Sequence, residues 1–303
     1  MLGPIRDADK EKLFILGVGA QRAGTTWVHE QLKRCAGVNM GFTKEYHIFC
    51  NRKESLRGQW RRHRRRQEQL NSTFGSTRRF SHEEFMDLPT EQKQLLMRVR
   101  HHHYFDYFDR LVADDPTVQA TGDISPYYAQ LNAESLSYIR RSLHKRGFTV
   151  KLIFLLRDPV DRIQSQLKLR RRDGNEPALN DQLELNNLLC LHYQSARCEK
   201  HSRYERTLGA IKKAFPPQDT FYGFYEDLFN SKTHDCLEKF LGLSLPTPDF
   251  SEKINSAPGS NSLNEELLAK IAYHYRATYE ACRQKFGEKI DQLWPSSRFA
   301  PRG

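Results

Sequence analysis

The chain has 303 residues and a formal net charge of +11. This length suits one large α/β domain or two smaller ones, and no run of about 18 apolar residues predicts a membrane-spanning helix. The N-terminus, Met1 to Lys12, is polar and lacks the apolar core of a signal peptide, so we expect a cytoplasmic protein. The positive charge favours an anionic partner, such as nucleic acid, an anionic cofactor or an acidic polymer.

The cysteines and histidines do not predict a metal site. The six cysteines are scattered without a C-x-x-C pair, which is typical of reduced thiols. They are Cys35, Cys50, Cys190, Cys198, Cys236 and Cys282. His101, His102 and His103 are adjacent, and neighbouring helix residues point about 100° apart, so they cannot converge on one ion.

The first predicted elements are a strand and a helix. The apolar run Leu13 to Val18 predicts a buried strand that ends in glycine. A helix is expected from about Thr25, because apolar residues follow at i, i+4 and i+7, and Gly37 suits the helix end.

Residues from about 52 to 80 differ from the rest of the chain. Arg, Gln and Ser dominate this stretch, which predicts a solvated helix and loop, a basic insertion that could act as a lid. Its block Arg61 to Arg66 is either a solvated helix face or a surface for an acidic acceptor or nucleic acid. Trp60 is its only aromatic neighbour, which argues against binding of single-stranded nucleic acid.

The remaining elements follow in chain order. They are a helical stretch within Arg98–Asp109, a short strand at Thr117–Thr121, a helix capped by Asn132 and closed by Gly147, the clearest strand at Leu152–Leu156, a helix with Asp158 as N-cap and Pro159 in its first turn, a strand at Phe221–Tyr225, and a long helix that opens on the capping box Ser262–Glu265 and runs to about Phe286.

Strands that alternate with helices predict an α/β fold. We expect a P-loop-like, mostly parallel sheet with helices on both faces and a basic helical insertion. No internal repeat or linker divides the chain, so residues 1–303 are interpreted as a single domain.

The loop after the first strand has the chemistry of an anion site. The segment from Gly19 to Thr26 has the spacing of the P-loop G-x-x-x-x-G-K-[ST], except that Thr25 replaces the lysine. Glycines allow close approach to an anion, the first helix N–H groups face it, and Arg22 supplies a cation. Taken alone, the segment could also be a simple glycine turn.

A second anion site is expected after the strand Leu152–Leu156. Arg157 lies at the carboxyl end of this strand, where ligands bind in open α/β sheets. Ser165 follows about two helical turns later, and an arginine and a hydroxyl together can hold a phosphate. Arg162 is interpreted as a solvent-exposed or ion-paired residue.

These two segments together resemble the signatures G-x-x-R-x-G-T-T-W and R-D-P-x-x-R-x-x-S of sulfotransferases that use 3′-phosphoadenosine-5′-phosphosulfate (PAPS). The resemblance implies that the loop holds the 5′-phosphosulfate and that Arg157 and Ser165 hold the 3′-phosphate. The expected loop residues are Arg22, Ala23, Gly24, Thr25, Thr26 and Trp27. Trp27 and Trp294 are also expected to be packing residues.

Two later segments extend the resemblance to most of the chain. Phe224 to Leu228 resembles the family's F-Y-E-D-L strand end, which implies that Tyr225 lies near the adenine. The segment Lys253 to Ser256 resembles a late loop that closes over the 3′-phosphate, although Lys253 could equally be a surface lysine.

The segment Lys44 to Phe49 resembles K-E-x-H-F-F of carbohydrate and many bacterial sulfotransferases, which implies that Glu45 is the general base. A hydroxyl needs such a base to become a good nucleophile. Lys44 would offset the charge of Glu45 or hold sulfuryl oxygens, and His47 would orient Glu45 or contact the acceptor. The alternative is an exposed Lys44–Glu45 ion pair with His47 in the core.

The segment from Thr121 to Tyr128 resembles G-E-x-[ST]-P-x-Y of the same subgroup and implies acceptor contacts from Asp123, Ser125 and Tyr127. The heparan sulfate enzymes carry a lysine at the position of Ile124 and an aspartate at that of Cys50, so a heparan-type acceptor is not expected. A sugar, a lipid, a small alcohol, a phenol or an amine fits the remaining pattern.

The expected reaction is in-line sulfuryl transfer from PAPS, without a metal and without a nucleic-acid partner. A P-loop kinase or NTPase is the first alternative, but it would need a lysine at Thr25 and a magnesium-binding carboxylate at Arg157. A non-enzymatic binder of nucleic acid or acidic polysaccharide, using the arginine block, is the second.

Overall fold

The computed structural model describes residues 12–49, 56–75, 79–173, 182–250 and 264–301, with the backbone alone for 56–63 and 182–184. The strands are β1 (Lys12–Gly19), β2 (Val38–Asn39), β3 (Ala120–Ile124), β4 (Phe148–Leu156) and β5 (Thr220–Phe224). The helices are α1 (Thr25–Arg34), α2 (Leu56–Phe74), α3 (His82–Asp87), α4 (Thr90–Val99), α5 (His102–Ala113), α6 (Ala133–His144), α7 (Pro159–Arg172), α8 (Gln182–His192), α9 (Ala196–Ser202), α10 (Tyr204–Ala214), α11 (Ser231–Leu241), α12 (Glu265–His274), α13 (Arg276–Phe286) and α14 (Lys289–Leu293), with short 3₁₀ turns such as Pro126–Gln130. None of the described helices is long and apolar enough to cross a membrane.

The five strands form one sheet in the order β2-β3-β1-β4-β5, and every pair is parallel. The last six residues of β1 and the last five of β4 are all buried, which indicates that both faces of the sheet are covered. The predicted α/β fold with a mostly parallel sheet is therefore confirmed. Because parallel strands end at the same edge, the loops that follow them meet there.

The basic insertion is mainly α2, which packs on α4 through the buried Leu70. Within the Arg61–Arg66 block, Arg64 forms an exposed i,i+4 pair with Glu68, with 2.7 Å between Nε and Oε1. An exposed i,i+4 ion pair of this kind is typical of a solvated helix face. The side chains of the first three residues of the block lie outside the described part of the chain.

Three predicted boundaries were wrong. The strand expected at Thr117–Thr121 is displaced to β3, and the stretch Arg98–Asp109 is divided between α4 and α5. The long final helix is interrupted at Tyr275, between α12 and α13. At this break the Tyr275 side chain is buried, and its hydroxyl donates to the Tyr193 carbonyl. The N-cap of α12 is Asn264, and Ser262 lies outside the described residues.

A buried carboxylate joins the end of β4 to the C-terminal helices. Asp158 caps α7 as predicted, with its Oδ1 accepting the Val160 N–H at 3.0 Å. The same carboxylate accepts the Tyr279 hydroxyl at 2.6 Å and the Ser296 N–H at 3.0 Å. Burial raises the pKa of Asp158 to about 6, although these hydrogen bonds oppose the rise.

The interpretation of Arg162 was wrong. Its side chain is completely buried, and its Nε donates to the Ser202 hydroxyl at 2.8 Å. The helix α7 turns this residue inward, toward α9, rather than toward solvent or a carboxylate.

We predict that Tyr279→Phe destabilises the fold, because it leaves the buried Asp158 carboxylate short of one hydrogen bond. The expected loss is about 1–3 kcal/mol, seen as a fall of a few degrees in Tm. Tyr273→Phe is the matched control, since Tyr273 is 56% exposed. An unchanged Tm for Tyr279→Phe would contradict this account of the Asp158 cluster.

Candidate active site

The loop between β1 and α1 is shaped to expose backbone N–H groups. Gly24 is the N-cap of α1 with φ +89°, and Arg22 also has a positive φ of 69°. A side chain at Gly24 would be strained by this backbone, and its Cβ would overlap the Leu228 side chain. The first N–H groups of α1, beginning at Thr25, have no carbonyl partner within the helix, and they carry its positive dipole end.

A cavity of about 340 Å³ lies beside this loop and is called the loop cavity below. It is lined by residues from the β1, β4 and β5 loops, from α7 and from the segment after β2. The expected site residues that line it are Arg22, Gly24, Thr25, Thr26, Trp27, Lys44, Glu45, Arg157, Ser165 and Tyr225.

The two predicted anion sites are directly connected in this cavity. The Arg22 Nε donates to the Ser165 hydroxyl at 3.0 Å, and the Arg157 Nη1 donates to the Arg22 carbonyl at 3.1 Å. The Arg157 guanidinium also lies over the Tyr225 ring, with 4.0 Å between Cζ and the ring centroid. These contacts fix two cations side by side before any ligand binds.

The electrostatics of the loop cavity favour an anion. Burial lowers the pKa of Arg22, and the nearby charges of Arg157 and Arg172 lower it further. The pKa of Lys168 is lowered by burial and by Arg157. Like charges held together at a helix N-terminus are stabilised by a bound anion.

Lys168 is a lining residue that the sequence analysis missed. Asp161, Ser165 and Lys168 fall at i, i+4 and i+7 of α7, so they share the face that borders the cavity. The i, i+4, i+7 spacing of these residues after Arg157 was the sequence signal that could have predicted Lys168 in the site. Burial raises the pKa of Asp161, although Arg157 and Lys168 act in the opposite direction.

Glu45 lies on the other side of the loop cavity, and two cationic or polar neighbours hold it. Its Oε1 is 2.8 Å from the Lys44 Nζ, and its Oε2 is 2.9 Å from the His47 Nε2. Lys44 also donates to the Thr26 hydroxyl at 3.0 Å, which links Glu45 to the start of α1. The Lys44–Glu45 pair is therefore partly buried and faces the cavity, unlike the exposed pair considered as the alternative.

The protonation of Glu45 follows from these neighbours. Burial raises the pKa of Glu45, but hydrogen bonds and charges from His47 and Lys44 outweigh burial, so the pKa lies below its ordinary value. Glu45 is ionised at neutral pH as a result, which is the state in which a carboxylate accepts a proton.

His47 and Tyr127 lie next to Glu45 but outside the lining of the loop cavity. The His47 and Tyr127 rings pack edge to face, with 5.1 Å between their centroids. Tyr127 makes the same kind of contact with the His201 ring, at 4.9 Å. The Arg98 Nε donates to the His47 carbonyl at 3.3 Å. The segment around Glu45 is thus braced by α4 and by the turn after β3.

Asp123 and Ser125 do not face the acceptor side, contrary to the expectation. Both side chains are completely buried, and the Ser125 hydroxyl donates to the Asp123 Oδ1 at 2.6 Å. The physical reason is that α5 covers the end of β3 and places the Tyr104 hydroxyl 3.0 Å from Asp123 Oδ2.

The remaining expected residues divide into packing and backbone positions. Trp27 is buried and packs edge-on against Phe229 at 5.6 Å, and Trp294 is completely buried, so both are packing residues as predicted. Ala23 is also completely buried and offers the loop cavity no side chain. Lys253 lies outside the described residues.

In the described part of the chain, one group of side chains is close enough to share a metal ion: His234, Asp235 and Glu238 on α11. No member of this group lines the loop cavity. The His101–His103 run is not such a group. The rings of His102 and His103 lie 4.2 Å apart, but the His101 ring packs on Phe49 instead.

The comparisons with known proteins agree with this geometry. A family model described as the sulfotransferase family matches residues 14–246, whereas no curated protein sequence matches significantly. Among solved structures, the sulfotransferase from Alicyclobacillus acidocaldarius is 17% identical, with a TM-score of 0.58 over 90% of this chain and 95% of that chain. This likeness supports the fold.

Two further structures are similar over most of this chain but superpose too loosely to support an argument. The sulfotransferase domain from the curacin biosynthetic pathway is 16% identical, with a TM-score of 0.41 over 96% of each chain. Mouse sulfotransferase SULT7A1, complexed with PAP, is 14% identical, with a TM-score of 0.38 over 93% of this chain and 70% of that chain. Because the family model spans most of the sequence, the chain belongs to the sulfotransferase family and is an enzyme of that class.

Proposed function

We propose that this enzyme transfers the sulfuryl group of PAPS to an acceptor hydroxyl or amine, with Glu45 as the general base. One observation carries the proposal: an ionised Glu45, tied through Lys44 to the start of α1, shares a cavity with Arg22, Arg157 and Ser165. A positioned base and a built anion site therefore face each other. The same K-E-x-H pattern supports membership of the carbohydrate and bacterial subgroup.

The loop cavity suits PAPS by its charge, because cationic side chains line it. The absence of a Cβ at Gly24 avoids a clash with Leu228 and allows the left-handed backbone of the loop, and the N–H groups of α1 there suit the 5′-phosphosulfate. Arg157 and Ser165 suit the 3′-phosphate, and Tyr225 suits the adenine. The resemblance adds Lys253 as a further contact of the 3′-phosphate, and this residue lies outside the described part of the chain. PAPS supplies the sulfuryl group and leaves as 3′,5′-adenosine bisphosphate (PAP).

Each residue has a defined task in the transfer. Glu45 takes the acceptor's proton as the acceptor atom bonds to sulfur and the bond from sulfur to the phosphate oxygen breaks. Arg22 and the loop N–H groups stabilise the charge that grows on the leaving phosphate oxygen. Lys44 lies between Glu45 and Thr26 and can hold a sulfuryl oxygen, while His47 keeps Glu45 oriented. The balance of atoms requires no metal.

We predict that Gly24→Ala abolishes PAP binding, because the new Cβ meets Leu228 and the loop must shift. At 100 times its Kd, PAP should stabilise the unchanged enzyme by about 2.7 kcal/mol, measured as a rise in Tm. Gly209→Ala is the control, since a Cβ there meets open space. A normal PAP-dependent shift in Gly24→Ala would contradict the placement, and a shift with ATP and magnesium alone would favour a kinase.

We predict that Glu45→Gln lowers the kcat of transfer by about 10²–10⁴-fold, because the amide cannot accept the proton. Production of PAP from PAPS is measured across hydroxyl, phenol and amine acceptors, and PAP binding should be unchanged. Glu68→Gln is the control, since this side chain is 59% exposed on α2. Full transfer by Glu45→Gln would place the base elsewhere, with His47 the next candidate.

A further inference from the structure

A completely buried carboxylate lies behind the proposed base, at the end of β3. Asp123 accepts three hydroxyl protons: from Ser125 at 2.6 Å, from Tyr128 at 2.8 Å and from Tyr104 at 3.0 Å. Burial raises the pKa of Asp123 to about 6, and the hydroxyl hydrogen bonds limit this rise. Isolating a carboxylate from water in this way is unfavourable, so its position calls for a role beyond packing.

The role follows from the single proton on each hydroxyl. Because Ser125 and Tyr128 donate their protons to Asp123, their oxygens are left as acceptors. The Ser125 Oγ accepts the His47 N–H at 3.2 Å, and the Tyr128 oxygen accepts the Ile48 N–H at 3.1 Å. Asp123 therefore sets the direction of two hydrogen bonds that hold consecutive residues of the base segment.

The base segment needs this support because its backbone is strained. His47 has φ 54°, in the left-handed region that is unfavourable for a residue other than glycine. Such a turn persists only where neighbouring contacts fix it. Here the turn brings the His47 Nε2 within 2.9 Å of the Glu45 Oε2.

We propose that Asp123 is a positioning residue for sulfuryl transfer: through Ser125 and Tyr128 it fixes the backbone of His47 and Ile48, and thereby keeps Glu45 directed into the loop cavity. This inference rests on the proposed function, in which Glu45 is the base. Asp123 contacts neither the acceptor nor the cofactor, so its influence belongs to kcat rather than to cofactor binding.

The chain offers a matched pair of variants that separates positioning from packing. Tyr104→Phe and Tyr128→Phe each remove one hydroxyl from Asp123 Oδ2, and both rings are completely buried. The Tyr128 hydroxyl also accepts the Ile48 N–H. Within the described residues, the hydrogen bond of the Tyr104 hydroxyl is the one to Asp123. Each variant thus removes one hydrogen bond to Asp123 and keeps its buried ring, whereas only Tyr128→Phe also removes the acceptor of the Ile48 N–H.

The experiment measures kcat, the KM for PAPS, PAP binding and Tm for both variants and for Asp123→Asn. We expect kcat to fall by roughly 10-fold to 100-fold in Tyr128→Phe and Asp123→Asn, with the KM for PAPS and PAP binding within about 2-fold of the unchanged enzyme. Tyr104→Phe should lower Tm to a similar extent as Tyr128→Phe but keep kcat within about 3-fold. If Asp123→Asn fails to fold, the comparison of Tyr128→Phe with Tyr104→Phe still tests the positioning role of Asp123.

Combining variants gives a second readout. Because Asp123 acts through Glu45, Tyr128→Phe should slow Glu45→Gln little further, whereas independent effects would multiply. Equal kcat values for the two tyrosine variants, or multiplying effects, would overturn the positioning role. Full transfer by Glu45→Gln would overturn the proposed base itself, and an inactive Glu45→Gln beside a fully active Tyr128→Phe would overturn the positioning alone.

Discussion

Parallel pairing of β1 with β3 and β4 is the constraint on which the site depends. Leu16 of β1 pairs with Asp123 on one side and with Leu152 on the other, so the three strands reach the same edge of the sheet in register. Within a few residues each strand passes into a segment of the site: the anion-binding loop after β1, the support of the base segment after β3, and Arg157 after β4. A shift in register would separate these groups even if each local motif were intact.

The anion site is built before a ligand arrives. Arg157 is fixed between the Tyr225 ring and the Arg22 carbonyl, and Arg22 in turn reaches the Ser165 hydroxyl. Holding like charges close together is unfavourable in isolation, and it becomes favourable when an anion with several charges lies between them. Fixing the side chains in advance also reduces the conformational entropy lost on binding, so more of the interaction energy is left for the transition state.

The parts of the site that could be predicted from sequence are those encoded by local spacing. The loop residues Arg22 and Gly24, and the pair Arg157 and Ser165, follow strand ends at fixed intervals, and the sheet edge brings them together without further information. The wrong assignments depend on distant contacts. Asp123 was expected to face the acceptor, but Tyr104, 19 residues earlier on α5, covers it. The break at Tyr275 is not revealed by the helical pattern near residue 275, and the hydroxyl of this residue donates to the distant Tyr193 carbonyl.

Asp123 and Asp158 are buried carboxylates at the ends of β3 and β4, the two strands that flank β1. Burial raises the pKa of each from 3.8 to about 6, and each accepts hydrogen bonds from hydroxyl or N–H donors. Because the folded pKa lies above the ordinary value, the stability associated with each group is lost as the pH rises from about 4 to about 6.

At neutral pH both carboxylates are therefore held ionised at the expense of stability. In return, Asp158 fixes the start of α7 next to Arg157, and Asp123 fixes the backbone beside Glu45. One buried carboxylate thus anchors the anion-binding half of the site and the other anchors the half that carries the base. Apolar residues in place of either carboxylate would remove the cost of its burial, but they would also remove the hydrogen bonds that it makes at the start of α7 or directs at the backbone of His47.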